Sequence, residues 1–262
     1  IAERMGARVV HVSSRGYGSA LMAGIASANG TFVVMGDADD SYDFGEIPRF
    51  LSPLRAGYDL VQGCRLPSGG GTIVRGAMPA LHRFWGNPMF STLARRMFGA
   101  PVHDVYCGLR GFSKSFYDTL DLRCTGMEFA TEMIIKSSLN RARIAEVPIT
   151  LHPDGRRSHA PHLKTFRDGW NTLRLFLLSS PRWLFLVPGG VLIDSVGPRW
   201  VIAGGGAVMG AGSLAMGLAA SPAVLFAGRL LVGLGATVTF TGALKIAANW
   251  FPPSRFGTMS AM

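Results

Sequence analysis

Charge almost disappears from the chain after residue 193. Residues 194–262 carry four basic side chains (Arg199, Arg229, Lys245, Arg255) and one acid, Asp194. They contain two apolar runs, Trp200–Ala220 and Ala223–Ala248. A helix crosses bilayer hydrocarbon with roughly 20 residues, so each run is long enough to span. Both are rich in Gly and Ala, as closely packed membrane helices are. The preceding apolar stretch, Trp183–Ile193, offers only 11 residues before Asp194 and is too short to span.

Residues 1–193 are different: they hold 22 Lys+Arg and 15 Asp+Glu. They read as a soluble domain with a basic surface, suited to phosphate-bearing partners or an anionic membrane surface. Nucleic acid is not an expected partner, because the basic residues are scattered and no recognised binding module is present. Cys64, Cys107 and Cys124 form no CxxC pair. That argues against a disulfide framework and a zinc site, and for a reducing compartment. His103, His152, His159 and His162 lack a metal-ligand spacing.

Along this first part, strand-like and helix-like runs alternate. Val9–Val12 reads as a strand, Ser19–Ala28 as a helix stopped at Gly30, Thr31–Met35 as a buried strand, Pro48–Arg55 as a helix and Tyr58–Gln62 as a strand. This is the layered α/β pattern. A Gly- and Pro-rich stretch over 64–88 passes into a helix at Met89–Phe98. Val105–Phe112 reads as strand and turn, Gly126–Leu139 as a helix and Ala145–Leu151 as a closing strand. Between Arg141 and Arg182 lie eight basic residues and three acids, interleaved with Phe166, Trp170, Leu173, Phe176 and Leu177. That pattern suits an amphipathic helix lying in a membrane interface.

The strand Thr31–Met35 runs into Gly36-Asp37-Ala38-Asp39-Asp40. A rigid strand ending in Asp-x-Asp presents two carboxylates at the sheet edge, where open α/β sheets bind ligands. Two hard oxygen ligands suit Mg²⁺ or Mn²⁺, which keep waters and bridge to substrate phosphates. An isolated Asp-x-Asp is as readily a helix cap or a solvated turn, so its context decides the reading.

That context is specific. The runs RGYGSALMAGIASANGTFVVMGDADDSYDFGEIPRF and VHDVYCGLRGFSKSFYDTLDLRCTGMEFATEMIIKSSLNRARIAEVPITLHPDGRRSH resemble family 2 glycosyltransferases of the dolichyl- and polyprenyl-phosphate type. The resemblance covers residues 1–188. It implies a GT-A (Rossmann-like) α/β domain, an inverting hexosyl transfer, a UDP- or GDP-linked sugar donor, and a polyprenyl-phosphate acceptor at the cytoplasmic face of the cell membrane. By the same resemblance, Asp37 and Asp39 hold the metal and donor diphosphate, with Asp39 and Glu132 at the reacting sugar. Arg15, Ser41, Arg156, Arg157 and Ser158 face the donor. Arg65, Arg83 and Asn87 face the acceptor phosphate. Taken singly, Arg65 and Arg83 are ordinary surface arginines, Glu132 is a partner for Lys136 one helical turn on, and Arg110 is structural. The family's first strand and its P-x-[YL]-N-E-like turn precede the position matched by Ile1. The expectation is therefore an N-terminally truncated domain with an unpaired sheet edge.

From Gly190 the resemblance changes. Gly190–Arg199 is similar to the G-x-x-x-D-x-x-G-x-R loop of major facilitator transporters, and Arg229–Gly233 to their R-x-x-x-G signal. The expected organisation is a partial GT-A domain over 1–165, an amphipathic interfacial helix and the start of a membrane segment over 166–188, and a two-helix transporter-like segment over 190–262. A transporter fragment and a non-catalytic membrane remnant are the rival readings of the whole.

Overall fold

The computed structural model describes residues 2–155, 164–180, 183 and 187–250. They form two compact units that divide between Ser179 and Ser180.

The first unit is built around a mixed sheet. Strands β1 (Phe32–Met35), β2 (Leu60–Cys64), β4 (Arg110–Ser113) and β5 (Ile144–Pro148) lie in the order β1-β4-β2-β5. β4 is antiparallel to both β1 and β2, and β5 is parallel to β2. Three strands therefore run one way and β4 runs against them. Side chains alternate between faces, as strand geometry requires. Met35, Leu60 and Phe112 point into one core with α1 (Tyr17–Ser27), α3 (Asn87–Phe98), α5 (Phe129–Leu139) and α6 (Thr165–Ser179). Val34 and Val61 point into the other, with Phe50 and Leu54 of α2 (Ile47–Arg55).

Local sequence explains the helix ends. Ser113 caps the short α4 (Lys114–Thr119), its Oγ accepting from Phe116 N at 3.3 Å. Gly99 ends α3 at φ 67, a left-handed conformation that glycine adopts without penalty.

Two expected strands differ. Val9–Val12 forms no ladder among the described residues, and its Val9, Val10 and Val12 are exposed. An extended run becomes a strand only when a neighbour closes its hydrogen bonds. The expected closing strand is split: β5 ends at Pro148, and β6 (Thr150–Leu151) pairs with β3 (Thr72–Ile73) in a separate parallel pair. β3 lies inside the Gly- and Pro-rich stretch over 64–88, which was not expected to hold a strand. α6 packs on α3 and α5 and sends Phe176, 0% exposed, into the first core. Its opposite side exposes Phe166 and Trp170.

The second unit holds α7 (Val187–Val196), α8 (Pro198–Gly217) and α9 (Pro222–Trp250). Gly197, at φ 93, separates α7 from α8, and Pro198 opens the new helix. Residues Pro198–Gly217 and Pro222–Ala243 are long and apolar enough to cross a membrane. Glycines let these two helices touch. A Cβ on Gly212 would lie 2.8 Å from Gly228 O, and one on Gly205 would lie 2.9 Å from Gly235 O.

Candidate active site

The turn after β1 carries Asp37 and Asp39. Asp40 sits at φ 64, a left-handed conformation that Asp tolerates. The chain thereby folds back on itself, and Asp39 Oδ1 accepts from Ser41 N at 3.2 Å and from Ser41 Oγ at 2.5 Å. Ser41, itself buried, thus fixes the Asp39 carboxylate.

Asp37 is held from the other side of the site. Gly16, at φ 155, and Gly18 bring the start of α1 against the loop at Cys124–Thr125; a Cβ on either would collide with its backbone. This close approach aims Tyr17 at the turn, and its hydroxyl donates to Asp37 Oδ1 at 3.0 Å. Burial raises the Asp37 carboxyl above the usual carboxylate range. The Tyr17 hydrogen bond and the charges of Arg65 and Arg110 oppose that rise, while Asp39 adds to it. Burial, with Asp37 beside it, also raises the Tyr17 phenol, so Tyr17 stays protonated and acts as a donor.

Arg65 follows β2 and is almost fully buried. Its Nε and Nη2 donate to the Asp104 carboxylate at 2.7 and 2.9 Å, and its backbone N–H donates to the same group at 3.0 Å. Among the described residues, Nη1 has no hydrogen-bond partner. Asp104 is aimed by Glu146 of β5, which accepts from His103 N at 2.6 Å and Asp104 N at 3.2 Å. Burial lowers the His82 imidazole pKa, and the Arg65 charge lowers it further.

Arg110 is wholly buried in β4 and donates to the carbonyls of Val105, Cys107 and Ala130. Burial lowers its pKa. Its charge reaches Asp37, so a residue expected to be structural also enters the electrostatics of the site.

The other expected residues are placed as follows. Arg15 is exposed in the turn before α1, and it bonds to no described residue. Arg83 lies over the Phe84 ring at 5.4 Å. Asn87 is buried at the start of α3, its amide directed at Met78 Sδ at 3.3 Å. Arg156, Arg157 and Ser158 lie outside the described residues.

Glu132 is 5% exposed and already occupied. It accepts from the backbone N–H groups of Arg123 at 3.0 Å and Cys124 at 2.8 Å, and pairs with Lys136 at 2.9 Å. Burial alone would raise its carboxyl, but Lys136 and those N–H groups outweigh burial and hold it below the usual range. This is the Lys136 pairing that helical spacing allowed, extended into a clamp on the loop before α5.

Cys64, Cys107 and Cys124 are free, and burial pushes each thiol up to about 12, so none is a thiolate nucleophile near neutral pH. Sequence reasoning passed over Tyr17, Asp104 and Gly108. The RGYG turn was a visible signal for Tyr17. Asp104 and Gly108 become visible only once the 104–108 loop folds over β2.

Among the described residues no group of three or more His, Cys, Asp or Glu side chains forms a closed metal cage. The donor set is two carboxylates and a hydroxyl on one turn. It fits a hard cation that keeps waters and accepts substrate phosphate oxygens, and it does not fit structural zinc.

A mixed α/β sheet with an Asp-x-Asp turn at a strand's carboxyl end defines a GT-A-like domain. The family model described as Glycosyl transferase family 2 matches residues 1–121, and that of the Major Facilitator Superfamily matches residues 169–262. A dolichyl-phosphate hexose transferase of Haloferax volcanii is 35% identical over 170 residues, covering 64% of this chain and 70% of its own length. The low-salt glycan biosynthesis hexosyltransferase Agl6 of the same organism is 40% identical over 190 residues, covering 72% of this chain. This chain spans 45% of Agl6. An undecaprenyl-phosphate 4-deoxy-4-formamido-L-arabinose transferase of Klebsiella pneumoniae is 30% identical over 151 residues, 56% of this chain and 42% of its own. Among solved structures, glucosyl-3-phosphoglycerate synthase from Mycobacterium tuberculosis aligns with a TM-score of 0.49 and 20% identity, over 69% of this chain and 63% of its own. The chain belongs to glycosyltransferase family 2.

Proposed function

We propose that the protein transfers a hexose from a UDP- or GDP-linked sugar to a polyprenyl phosphate, with inversion, at the cytoplasmic face of the cell membrane. The observation that carries this reading is the convergence of two opposite kinds of group. Asp37 and Asp39 follow β1 and Arg65 follows β2, two strands that run the same way on either side of β4, so a carboxylate pair suited to a cation-bound diphosphate and an oriented cation suited to a phosphate leave the same edge of the sheet. The names of the Haloferax and Klebsiella relatives, with dolichyl and undecaprenyl phosphate in them, support the acceptor class.

In this reading an acceptor phosphate oxygen attacks the anomeric carbon. The bond from that carbon to the donor diphosphate breaks, and the nucleoside diphosphate leaves with the electron pair. A phosphate monoester is already anionic, so no side chain has to remove a proton. The protein's task is to align two anions against their repulsion. Asp37 and Asp39 would hold a Mg²⁺ or Mn²⁺ ion, which would supply positive charge against the leaving diphosphate. Asp104 and Glu146 hold Arg65 so that its Nη1 edge serves the acceptor phosphate, with Arg83 as a second cation. Arg15, Ser41 and the Arg156–Ser158 segment serve the donor. Glu132 is left out of the chemistry because its carboxylate is committed to the 123–124 loop. Leu81, Phe84, Trp85 and Met89 are exposed together next to Arg83, an apolar and cationic surface of the kind that seats in a lipid headgroup layer.

The test is calorimetric binding of UDP-glucose and GDP-mannose to the full chain in detergent, with and without Mn²⁺. Binding that requires Mn²⁺ and is lost in the double variant Asp37→Ala, Asp39→Ala supports the reading and names the nucleotide. Equal binding by wild type and variant overturns it. A second reading applies to residues 190–262 alone: the Major Facilitator match and the glycine-packed α8–α9 pair favour a transporter-like membrane segment.

A further inference from the structure

We propose that Tyr17 and Gly108 are positioning residues that set the rotamer of Asp37 for divalent-cation binding, Tyr17 by holding one carboxylate oxygen and Gly108 by presenting no side chain to the other. This rests on the reading of Asp37 and Asp39 as the cation's ligands.

The Tyr17 hydroxyl holds Asp37 Oδ1 at 3.0 Å. The other oxygen, Oδ2, is the carboxylate atom nearest to the place a Gly108 side chain would take. A Cβ there would lie 2.9 Å from Asp37 Cγ and closer still to Oδ2. Carbon and oxygen atoms in ordinary contact stay well beyond that separation, so a methyl group and this carboxylate position exclude each other. Gly108 is not in the left-handed region, and the absence of a side chain answers to its neighbour rather than to its own backbone.

The backbone is held on both sides of Gly108. Gly108 N donates to the buried Tyr42 hydroxyl at 3.0 Å. The Cys107 carbonyl accepts from Arg110 Nη2 at 2.7 Å and from Gln62 Nε2 at 3.1 Å, and both of these side chains are 0% exposed. The Leu109 carbonyl accepts from Gly63 N at 2.9 Å. The peptide before Gly108 and the one after Leu109 are therefore both tied to the core. The Asp37 carboxylate, at the end of a rotatable side chain on a half-buried turn, is the part that moves. Mg²⁺-type cations demand near-ideal ligand geometry. A functional group held to about 0.5 Å loses its use when its support is removed.

The experiment titrates the full chain in detergent with MnCl₂, in the presence of saturating UDP or GDP, and follows free Mn²⁺ by electron paramagnetic resonance. Wild type, Tyr17→Phe, Gly108→Ala and Asp37→Ala are compared, with circular dichroism melting run in parallel. Tyr17→Phe is expected to weaken Mn²⁺ binding by about tenfold, the loss of one hydrogen bond to a charged group. Gly108→Ala is expected to weaken it by more than that, with the melting curves of both variants close to wild type. A merely structural role would lower the melting temperature and leave the affinity of the folded fraction unchanged. If Gly108→Ala also lowers melting, Tyr17→Phe, which removes a single oxygen atom, decides the matter. Mn²⁺ binding that Asp37→Ala abolishes but Tyr17→Phe leaves intact overturns this proposal alone. No Mn²⁺ binding by wild type overturns the metal-site reading and this proposal with it.

Discussion

Glu132 and Asp104 show what a single buried carboxylate does in this molecule. Glu132 fastens the 123–124 backbone and Lys136 at once, and Glu132→Gln leaves part of that set unpaired. The expected cost is about 1–3 kcal/mol in urea denaturation. The pH dependence has a definite sign. The folded carboxyl lies below its ordinary value, so its contribution is complete above the ordinary Glu range near ~4.3 and is lost as pH falls through the folded value. Wild type is therefore expected to lose stability on acidification below that range, and Glu132→Gln to lose less. Asp104 has more at stake, because it is 0% exposed and neutralises a nearly buried Arg65 through two hydrogen bonds. Asp104→Asn turns an amide donor toward a guanidinium and strands a cation. It is expected to cost about 3–5 kcal/mol. Arg15→Ala, at an exposed position with no described partner, is expected to fall within about 0.5 kcal/mol of wild type.

At the level of elements, the α8–α9 pair rests on absent side chains. Gly205 and Gly212 on α8 face Gly235 and Gly228 on α9, with backbone in close contact. In lipid no hydrophobic drive holds two helices together, so such close packing carries the association. Gly212→Leu places four carbons where 2.8 Å separates a Cβ from the facing backbone. The expected loss is about 1–3 kcal/mol, seen as faster proteolysis of the pair in detergent. Gly204→Leu is the control, since a Cβ at Gly204 meets nothing within 4 Å.

For the whole molecule, the two units make different demands on solvent. α8 and α9 expose large apolar side chains such as Leu214, Phe226, Leu234 and Phe240, which water does not favour and lipid does. The full chain is expected to stay in the membrane pellet after alkaline carbonate extraction. A chain ending at Ser179 is expected to become extractable by salt, since it keeps the basic surface and the exposed apolar side chains of Leu81–Met89 and α6 but neither of the two long apolar helices. Trp85→Asp in that shorter chain is expected to reduce binding to anionic vesicles further. Carbonate release of the full chain would rule out α8 and α9 as membrane spans.

The alternation of apolar runs and breakers was enough to place β1, β2, α1 through α3 and α5 to within a few residues, because strand and helix periods are local properties. Asp37 and Asp39 were legible for the same reason: a carboxylate pair after an apolar strand is a pattern in consecutive residues. The length and apolarity of α8 and α9 were likewise readable along one line of sequence. What sequence could not decide depends on distant partners. Val9–Val12 has strand composition but no described neighbour to close a ladder. Ala145–Leu151 looks like one strand, yet it divides at Pro148 between two sheets because β2 and β3 each accept one half. Glu132 could face a sugar or a loop, and only the position of the 123–124 backbone, brought alongside α5, assigns it to the loop. Tyr17 and Gly108 acquire their meaning from Asp37, which lies 20 residues after one and 71 before the other in the chain. Local composition marks most of the strands and helices and the two runs long enough to span, and tertiary packing alone decides which extended runs find partners and which side chain holds which carboxylate.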